Sequence, residues 1–264
     1  MTTIAKALSL LNHLSEARPA LGLSDFQRLS GRDKATVHRY LTALESLGFL
    51  EQNTRNKNYR LGHSIERLAA MRRRTVEEAD TVSPLADVIS ETVGELVHIN
   101  KLTGQHLHPL YQVDLAPHAV RVEIEPNVVL PLLTTSSGKA ILAFKERADQ
   151  ETAIAHQKSE FSEGSLADAN AIFSELTETT KRGYATSRDQ IEIGVSSIAI
   201  PLFDANKSPV AACSIAYPTA RHSAEHLSKC IKALCTHGAK MSERLGGEVP
   251  GAVKELWHAG LKAI

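Results

Sequence analysis

The chain has 264 residues, 42% of them hydrophobic, so it is long enough to form about two domains with buried cores. It has no apolar run long enough to cross a bilayer and no signal-peptide cleavage pattern, so we expect neither a membrane protein nor a secreted one. Its three cysteines, Cys213, Cys230 and Cys235, are too few for a disulfide framework. They favour buried thiols in a reducing cytoplasm.

The formal net charge is zero, but the charge is distributed unevenly along the chain. Residues 1–74 contain 13 Lys and Arg against 6 Asp and Glu, a net charge of +7, and the remaining residues carry −7. A basic segment of this kind is typical of a module that binds a polyanion. The acidic remainder is expected to be a second domain with another task.

The N-terminal segment predicts two helices in succession. Arg18-Pro19 ends the first helix, and Ser24 begins the second through a Ser-x-x-Gln capping box. Phe26 and Leu29 are expected to face inward from the second helix. Apolar residues recur at helical spacing in the first helix, at Ile4, Ala7, Leu8, Leu11 and Leu14.

A third helix follows a turn at Gly31. Asp33 is placed to cap its N-terminus, and Gly48 ends it. The runs FLEQ and NYRLG then read as two short strands joined by the polar turn NTRNK. Three helices followed by a two-stranded ribbon form the winged helix-turn-helix pattern. The apolar stripe of the third helix consists of Val37, Tyr40, Leu41 and Leu44.

The face of the third helix opposite this stripe carries small and basic side chains and no acidic residue from 34 to 43. Such a helix can enter a DNA major groove, where an acidic side chain would meet phosphate. The turn of the ribbon adds cations that can reach the DNA backbone. The predicted DNA contacts are Arg32, Lys34, Ala35, Thr36, His38, Arg39, Thr42, Arg55 and Lys57. The alternative is a winged helix that mediates protein contacts.

The second part of the chain alternates between helical and strand patterns and predicts an α+β domain. A linker helix, a break near Ser83-Pro84 and another helix come first, with Leu85, Val88, Ile89 and Val93 facing inward. Strands are predicted for LVHINKL, HLHPLYQV, AVRVEIEP, SSIAIPLF and PVAACSIAYP, the last two joined by the turn DANKS. Helices are predicted for SSGKAILAFK, residues 167–182 and residues 222–245.

The runs IAKALSLL, KATVHRYLTALESLGFLEQ and YRLG resemble the DNA-binding domain of the IclR family of bacterial transcriptional regulators. LPLLTTSSGKAILA and RGYATSRDQIEIGVSSIAIPLFDANKSPVAACSIAYP resemble the effector domain of the same family. The resemblance covers nearly the whole chain and implies a repressor or activator that responds to a metabolite. It divides the chain into a winged helix-turn-helix (1–64), a linker helix (65–80), a GAF-like mixed α/β effector domain (81–250) and a C-terminal tail (251–264).

Carried over by matching motif positions, the resemblance also implies an effector pocket. Its lining would be Ala119, Val122, Leu130, Ser136, Ser137, Gly138, Ser187, Arg188, Val195, Ser197, Ser214 and Ala216. The sequence departs from the family pattern at Leu133, where His is common, and at Ser187 and Arg188, where acidic residues are common. An entrance that is poor in acids and carries Arg188 would favour a short organic acid or sulfonate. The alternative is that Arg188 is solvated and paired with Asp189.

The sequence also offers two other interpretations, an enzyme and a metal-binding protein. Ser136 and Lys139 have the Ser-x-x-Lys spacing of some acyl-transferring enzymes, but the companion motifs of those enzymes are absent, so we do not expect an enzyme. His98, His106, His108 and His118 lie close in sequence and could bind a metal, although neither a metal nor a cofactor is expected. The sequence predicts a cytoplasmic homodimer, or a dimer of dimers, that binds double-stranded operator DNA and a small effector.

Overall fold

The fold is taken from a computed structural model that describes residues 2–15, 17–115, 118–125, 128–160 and 169–263. The chain divides into an N-terminal unit, residues 1–77, and a C-terminal unit, residues 78–264. No helix among the described residues is long and apolar enough to cross a membrane.

The N-terminal unit is built from helices and a small antiparallel sheet, as the pattern predicts. Its helices are α1 (Thr3–Leu8, continued by a 3-10 turn over Ser9–His13), α2 (Leu23–Ser30), α3 (Lys34–Ser46) and α4 (His63–Thr75). Its strands are β1 (Ala20–Leu21), β2 (Leu50–Gln52) and β3 (Tyr59–Leu61), in the order β1-β3-β2. The sequence did not predict β1, a two-residue strand that pairs with β3.

The core of this unit confirms the apolar stripe of the third helix. All four stripe residues are buried, and they pack with Leu10, Phe26, Leu50 and Tyr59. Burial of this stripe fixes the rotation of α3, so the basic face points away from the core. In contrast, Ile4 and Leu8 of α1 remain 73% and 43% exposed.

The start of α2 differs from the prediction. The N-cap is Gly22 rather than Ser24, and the carboxylate of Asp25 accepts a hydrogen bond from the backbone N–H of Gly22 at 3.3 Å. Asp25 thus performs the return half of a capping box, the part expected of Gln27. The N-cap therefore lies two residues before the predicted one.

The break after the linker helix also lies elsewhere than predicted. Helix α4 ends at Thr75, and α5 runs from Glu78 to Val93 with Pro84 inside it. The buried residues Val82, Ala86, Ile89 and Val93 lie on both sides of Pro84. Their burial outweighs the loss of one backbone hydrogen bond at proline. Val88, expected to face inward, is 43% exposed.

A five-stranded antiparallel sheet forms the centre of the C-terminal unit, so the α+β class is confirmed. Its order is β5-β4-β8-β7-β6. The strands are β4 (Leu96–Thr103), β5 (His106–Val113), β6 (Ala185–Arg188), β7 (Val195–Phe203) and β8 (Pro209–Pro218). The helices after α5 are α6 (Ser136–Leu142), α7 (Arg147–Glu160), α8 (Ala169–Arg182), α9 (Ala224–Arg244) and α10 (Gly251–Ala263).

The two faces of this sheet bury different clusters. Alternate residues of β7 and β8, such as Ile198 and Ile215, pack with α5, α9 and α10. The intervening residues, such as Ala199 and Ala212, pack with α6 and α8. Because successive side chains of a strand point to opposite faces, each strand residue can be assigned to one of these two layers.

Several C-terminal predictions need correction. AVRVEIEP is not a strand, because residues 118–125 have no regular secondary structure, and 126 lies outside the described residues. Strand β6 and helix α7 were not predicted. Residue 167 lies outside the described residues, and α8 begins at Ala169.

The predicted tail, residues 251–264, is also wrong, because Gly251–Ala263 forms α10. Trp257 of this helix is 2% exposed, and its ring N–H donates to the carbonyl of Gly183 at 2.8 Å. Helix α10 therefore packs onto the core of the C-terminal unit through one face.

Candidate nucleic-acid interface and ligand cavity

The N-terminus of α3 is fixed by its cap. Asp33 accepts a hydrogen bond from the backbone N–H of Thr36 at 2.8 Å, and this bond lowers the pKa of the Asp33 carboxyl. The carboxylate therefore stays ionised at neutral pH and satisfies a backbone donor that the helix itself leaves unpaired. The first turn of α3, which carries Lys34, Ala35 and Thr36, is thereby held in a defined position.

The outward face of α3 presents the predicted contact residues to solvent. Lys34, Ala35, His38, Arg39 and Thr42 are exposed, whereas Thr36 is partly buried. Within the described part of the chain, neither Lys34 nor Arg39 takes part in a salt bridge. The Arg39 guanidinium carbon lies 5.7 Å from the Tyr40 ring centroid. Arg32, just before the helix, is partly buried, and its Nε is buried without a partner in the same described part.

Asparagine side chains hold the turn of the ribbon. Asn53 Oδ1 accepts hydrogen bonds from the backbone N–H groups of Arg55 at 2.9 Å and Asn56 at 3.2 Å. Lys57 has a φ of 59°, a left-handed conformation that this hydrogen-bonded turn imposes on a non-glycine residue. Arg55 and Lys57 are both exposed, so the turn displays two cations at the tip of the ribbon.

The C-terminal unit contains a cavity of about 90 Å³ beside the N-terminal turn of α6. Strand residues from β4, β7 and β8 form its floor, and parts of 118–125 and of the 189–194 loop lie at its mouth. Six predicted pocket residues line this cavity, namely Val122, Leu130, Ser136, Val195, Ser197 and Ala216. The structure thus brings together residues that are far apart in the sequence.

Hydroxyl groups meet at the floor of the cavity. Ser136 Oγ donates to Ser197 Oγ at 2.8 Å and lies 3.1 Å from Ser214 Oγ. Ser214 is fully buried directly behind this pair. Thr135 caps α6 by accepting from the backbone N–H of Gly138 at 2.9 Å, so ordinary N-capping and cavity lining coexist in this loop.

Other predicted pocket residues do not line the cavity. Ala119 lines an open groove of about 800 Å³ that adjoins the cavity and shares Val122, Glu123, Glu192 and Val195 with it. Gly138 packs against the Leu132 carbonyl, which a Cβ at position 138 would approach to 2.0 Å. Ser187 donates to the Thr134 carbonyl at 2.8 Å, and Ser137 accepts from the Asn100 amide at 3.3 Å.

Arg188 lies on the opposite face of the sheet, which corrects its predicted place at the entrance. Ser187 pairs with Ser197 and Arg188 with Ser196, so Arg188 points away from the layer that contains the cavity. It lines a different cavity of about 280 Å³ beside Tyr217, with its Nε 3.6 Å from an Asp189 oxygen. The alternative reading of Arg188 as a partner of Asp189 fits this position.

The cavity also contains residues that the sequence analysis did not assign to it. His98, Thr135, Glu123 and Glu192 are among its lining residues, so the entrance is not poor in acids. His98 is 7% exposed, and its burial lowers the pKa of the ring to about 4. The alternation of LVHINKL could have placed His98 and Asn100 on one face, and pairing of β4 with β8 puts His98 opposite Ser214.

The mouth segment 118–125 is anchored by a buried ion pair. Glu95 is 1% exposed and accepts from Arg221 Nε at 2.7 Å. The same guanidinium donates from Nη1 to the Val120 carbonyl at 2.8 Å. Gln112 adds a hydrogen bond to the Ile124 carbonyl at 3.3 Å. These contacts hold one wall of the cavity although the segment has no regular structure.

The structure does not support either alternative site, the Ser136–Lys139 catalytic pair or the histidine metal site. Lys139 Nζ donates to Glu175 at 2.6 Å and to Gln190 at 2.9 Å, whereas Ser136 bonds to other serines. Desolvation lowers the pKa of Lys139, and Glu175 opposes that shift. The rings of His106 and His108 are 6.5 Å apart, but the described residues contain no group of three side chains able to hold a metal.

Comparison with known proteins agrees with both units. Residues 3–54 match the IclR helix-turn-helix domain, and residues 71–243 match the bacterial transcriptional regulator IclR C-terminal domain. The chain is 27% identical to the HTH-type transcriptional regulator XynR of Escherichia coli (92% of this chain, 97% of the relative). It is 29% identical to the glycerol operon regulatory protein of Streptomyces coelicolor (81% and 83%).

A solved structure extends this agreement to the fold of nearly the whole chain. A crystal structure of a protein assigned as an IclR transcriptional regulator, from Silicibacter sp. TM1040, is 34% identical. It has a TM-score of 0.86 and covers 96% of this chain and 99% of that one. The chain therefore belongs to the IclR family of bacterial transcriptional regulators.

Proposed function

We propose that this regulator reads operator DNA through the exposed face of α3. The observation that carries the proposal is the acid-free face that presents Lys34 and Arg39, held by the Asp33 cap. The N-terminal half of the helix enters the major groove, where Ala35 and Thr36 allow close approach and Arg39 reaches a guanine edge. Arg55 and Lys57 of the ribbon turn contact the backbone or the minor groove.

Binding-site selection from a random pool of DNA duplexes tests this proposal. We expect the full chain to enrich a pseudo-palindrome and its affinity to fall steeply as salt rises, because phosphate neutralisation releases counterions. Arg55→Ala or Lys57→Ala should each flatten the salt dependence by about one unit of slope and weaken all sequences nearly equally. Failure to enrich any sequence, with salt-independent binding, would favour the protein-contact alternative.

We propose that two copies of the chain bind DNA together. Ile4 and Leu8 lie four residues apart on one side of α1 and are 73% and 43% exposed, while Met71 on α4 is 53% exposed. Covering these side chains with a second copy would bury apolar surface and place two copies of α3 on two half-sites. Sedimentation of the full chain, and of an Ile4→Glu variant, would show whether a dimer or a dimer of dimers depends on this surface.

We propose that the cavity beside α6 binds the effector, a short organic acid or sulfonate, and that binding shifts the population of DNA-competent dimers. Support comes from its size and its hydroxyl groups, since a cavity of about 150 Å³ accepts benzene and 90 Å³ suits a still smaller molecule. The regulator would control a catabolic operon from the cytoplasm, where its buried thiols remain reduced. One relative is named for a glycerol operon.

A cavity-filling substitution tests the effector site. A thermal-shift screen of acids, sulfonates and polyols first identifies a stabilising ligand. Val122→Phe should then abolish the effect of that ligand on operator affinity, while operator binding without ligand stays unchanged. Val120→Phe is the matched control, because Val120 lies in the same segment, is 70% exposed and lines only the open groove, whereas Val122 lines both the groove and the cavity. An equal response in both variants would place the effector elsewhere.

A further inference from the structure

His98 offers one ring nitrogen to the cavity because Asn100 engages the other. Its Nδ1 lies 2.7 Å from Asn100 Nδ2, and the same amide nitrogen donates to Ser137 Oγ at 3.3 Å. An amide nitrogen can only donate, so Nδ1 accepts, and the proton of the neutral ring lies on Nε2. The Nε2–H group is then the donor for a molecule in the cavity that His98 lines.

The side chains of Asn100 and Ser137 can hydrogen-bond to His98 in either protonation state of the ring. If the ring gains a proton at Nδ1, rotation of the Asn100 amide by 180° presents Oδ1 as the acceptor. The Ser137 hydroxyl can then donate to that same oxygen, because a hydroxyl both donates and accepts. Asn100 is 2% exposed and Ser137 is fully buried, so these two side chains, rather than water, must satisfy Nδ1.

The surroundings of His98 contain little other charge. Glu123 and Glu192 are the ionisable groups at the cavity mouth, both are exposed, and Glu123 pairs with Arg121 at 3.1 Å. Burial lowers the pKa of His98 to about 4, so the ring is neutral at pH 7. An anion that enters meets no cation among the described lining residues unless His98 takes up a proton. The side chains packed around the ring from β5, α6, β7 and β8 are neutral, namely Gln112, Thr135, Ser136, Ser197 and Ser214.

We propose that His98 binds the carboxylate of a short organic acid and takes up one proton from solvent as the acid enters the cavity. The inference rests on the proposed effector role of this cavity. The acid stays ionised, the one new covalent bond is the N–H bond that the solvent proton forms at Nδ1, and the imidazolium–carboxylate pair replaces a neutral ring and a solvated anion. Ser136 and Ser197 supply hydroxyl groups to the rest of the ligand.

The sign of the pH dependence follows from proton linkage. The carboxylate favours the charged ring, so the pKa of His98 is higher in the complex than in the free protein. Between those two pKa values the complex holds one more proton, and affinity rises as pH falls. A bound carboxylate that restores this pKa to the ordinary range of histidine should make affinity rise about tenfold between pH 7.5 and 5.5. A short carboxylic acid with a pKa of about 4 remains ionised throughout this range.

Calorimetry of the full chain with lactate and lactamide tests the proposal. We expect about tenfold tighter binding of lactate at pH 5.5 than at pH 7.5, whereas binding of the neutral lactamide should not change with pH. Titration in two buffers with different heats of ionisation should show uptake of close to one proton per lactate at pH 5.5. His98→Gln should remove the pH dependence, and His108→Gln, an exposed residue on β5, should retain it.

Three results would overturn the proposal: lactate affinity that does not vary with pH, no lactate binding at any of these pH values, or a pH dependence that persists in His98→Gln. The last would place the proton on Glu123, Glu192 or the ligand. If circular dichroism shows that His98→Gln does not fold, the wild-type proton count decides, and uptake near zero at pH 5.5 rejects the proposal. Operator binding is measured separately, so a chain that selects DNA but fails these tests loses only this inference.

Discussion

Arg39 is the residue on α3 best placed to read a base edge. It lies on the exposed face, opposite the buried stripe, and no salt bridge within the described residues engages it. Arg39→Ala should weaken binding to the selected operator by about 1–3 kcal/mol, with a smaller effect on unrelated DNA. Arg28→Ala is the matched control, because Arg28 is exposed on α2 and paired with Asp25 at 2.8 Å. Wild-type operator affinity in a filter-binding titration of Arg39→Ala would remove Arg39 from the reading surface.

Gly138 and Gly260 make a second prediction at the scale of single residues. A Cβ at position 138 would lie 2.0 Å from the Leu132 carbonyl oxygen, whereas a Cβ at position 260 meets nothing within 4 Å. Gly138→Ala should therefore destabilise the C-terminal unit by about 3 kcal/mol or more. Gly260→Ala lies within α10 and should stabilise it by about 0.5–1 kcal/mol.

Urea unfolding, monitored by tryptophan fluorescence, measures the stability of the Gly138→Ala and Gly260→Ala variants. The chain has one tryptophan, Trp257, which is buried in the C-terminal unit and reports its unfolding. Equal midpoints for wild type and Gly138→Ala would mean that the segment around Leu132 shifts to make room for the added methyl group. In that case the close approach at Gly138 would not be a constraint on the fold.

Individual residues also show how far the sequence determines a site. Ser136 and Ser197 were assigned to the pocket through the family resemblance, and both line the cavity at the start of a helix and on a strand that the sequence pattern predicted. Arg188 was misplaced because the sequence analysis did not identify β6, and a one-residue shift along a strand changes the face. His98 was interpreted only as a metal candidate. Its place in the cavity could not be predicted, because the cavity forms only when β4, α6 and β7 come together.

At the scale of elements, strong periodicity predicted well and weak periodicity did not. Strands β7 and β8 follow long runs of β-branched and small residues, and their turn was identified from DANKS. Residues 119–126 alternate in the same way, but over the described part of that segment they do not pair as a strand with the sheet. The sequence predicted a helix break at Pro84 because proline disfavours the interior of a helix. In the structure, burial of the residues on both sides of Pro84 overrides that local preference.

Helix α10 supports a prediction at this scale, because Trp257 is the largest of its buried side chains. Trp257 is buried and donates to the Gly183 carbonyl at 2.8 Å. Trp257→Ala should cost about 3–5 kcal/mol of stability, since it removes a large buried ring and leaves that carbonyl without its partner. The exposed neighbour Glu255→Ala should change stability by no more than about 0.5 kcal/mol. Thermal unfolding followed by circular dichroism compares the two, and similar midpoints would mean that α10 is dispensable.

At the scale of the whole molecule, the two units keep separate cores. The cluster around Phe26 and Leu41 lies wholly within residues 1–77, and both clusters on the five-stranded sheet lie within residues 78–264. Separate cores allow one unit to bind DNA while the other binds a ligand. The charge difference between the first 74 residues and the rest follows nearly the same division.

The division into two units predicts how separate fragments of the chain behave. A fragment of residues 78–264 should fold alone and bind the effector found by the thermal-shift screen as tightly as the full chain does. A fragment of residues 1–77 should bind the selected operator about 100-fold or more weakly than the full chain, because pairing makes the second half-site contact effectively intramolecular. Fusing residues 1–77 to a dimeric coiled coil should restore most of the lost affinity. If the unfused fragment already binds a full operator as tightly as the whole chain, recognition by paired units is wrong. If the fused fragment stays weak, the C-terminal unit must contribute more than pairing.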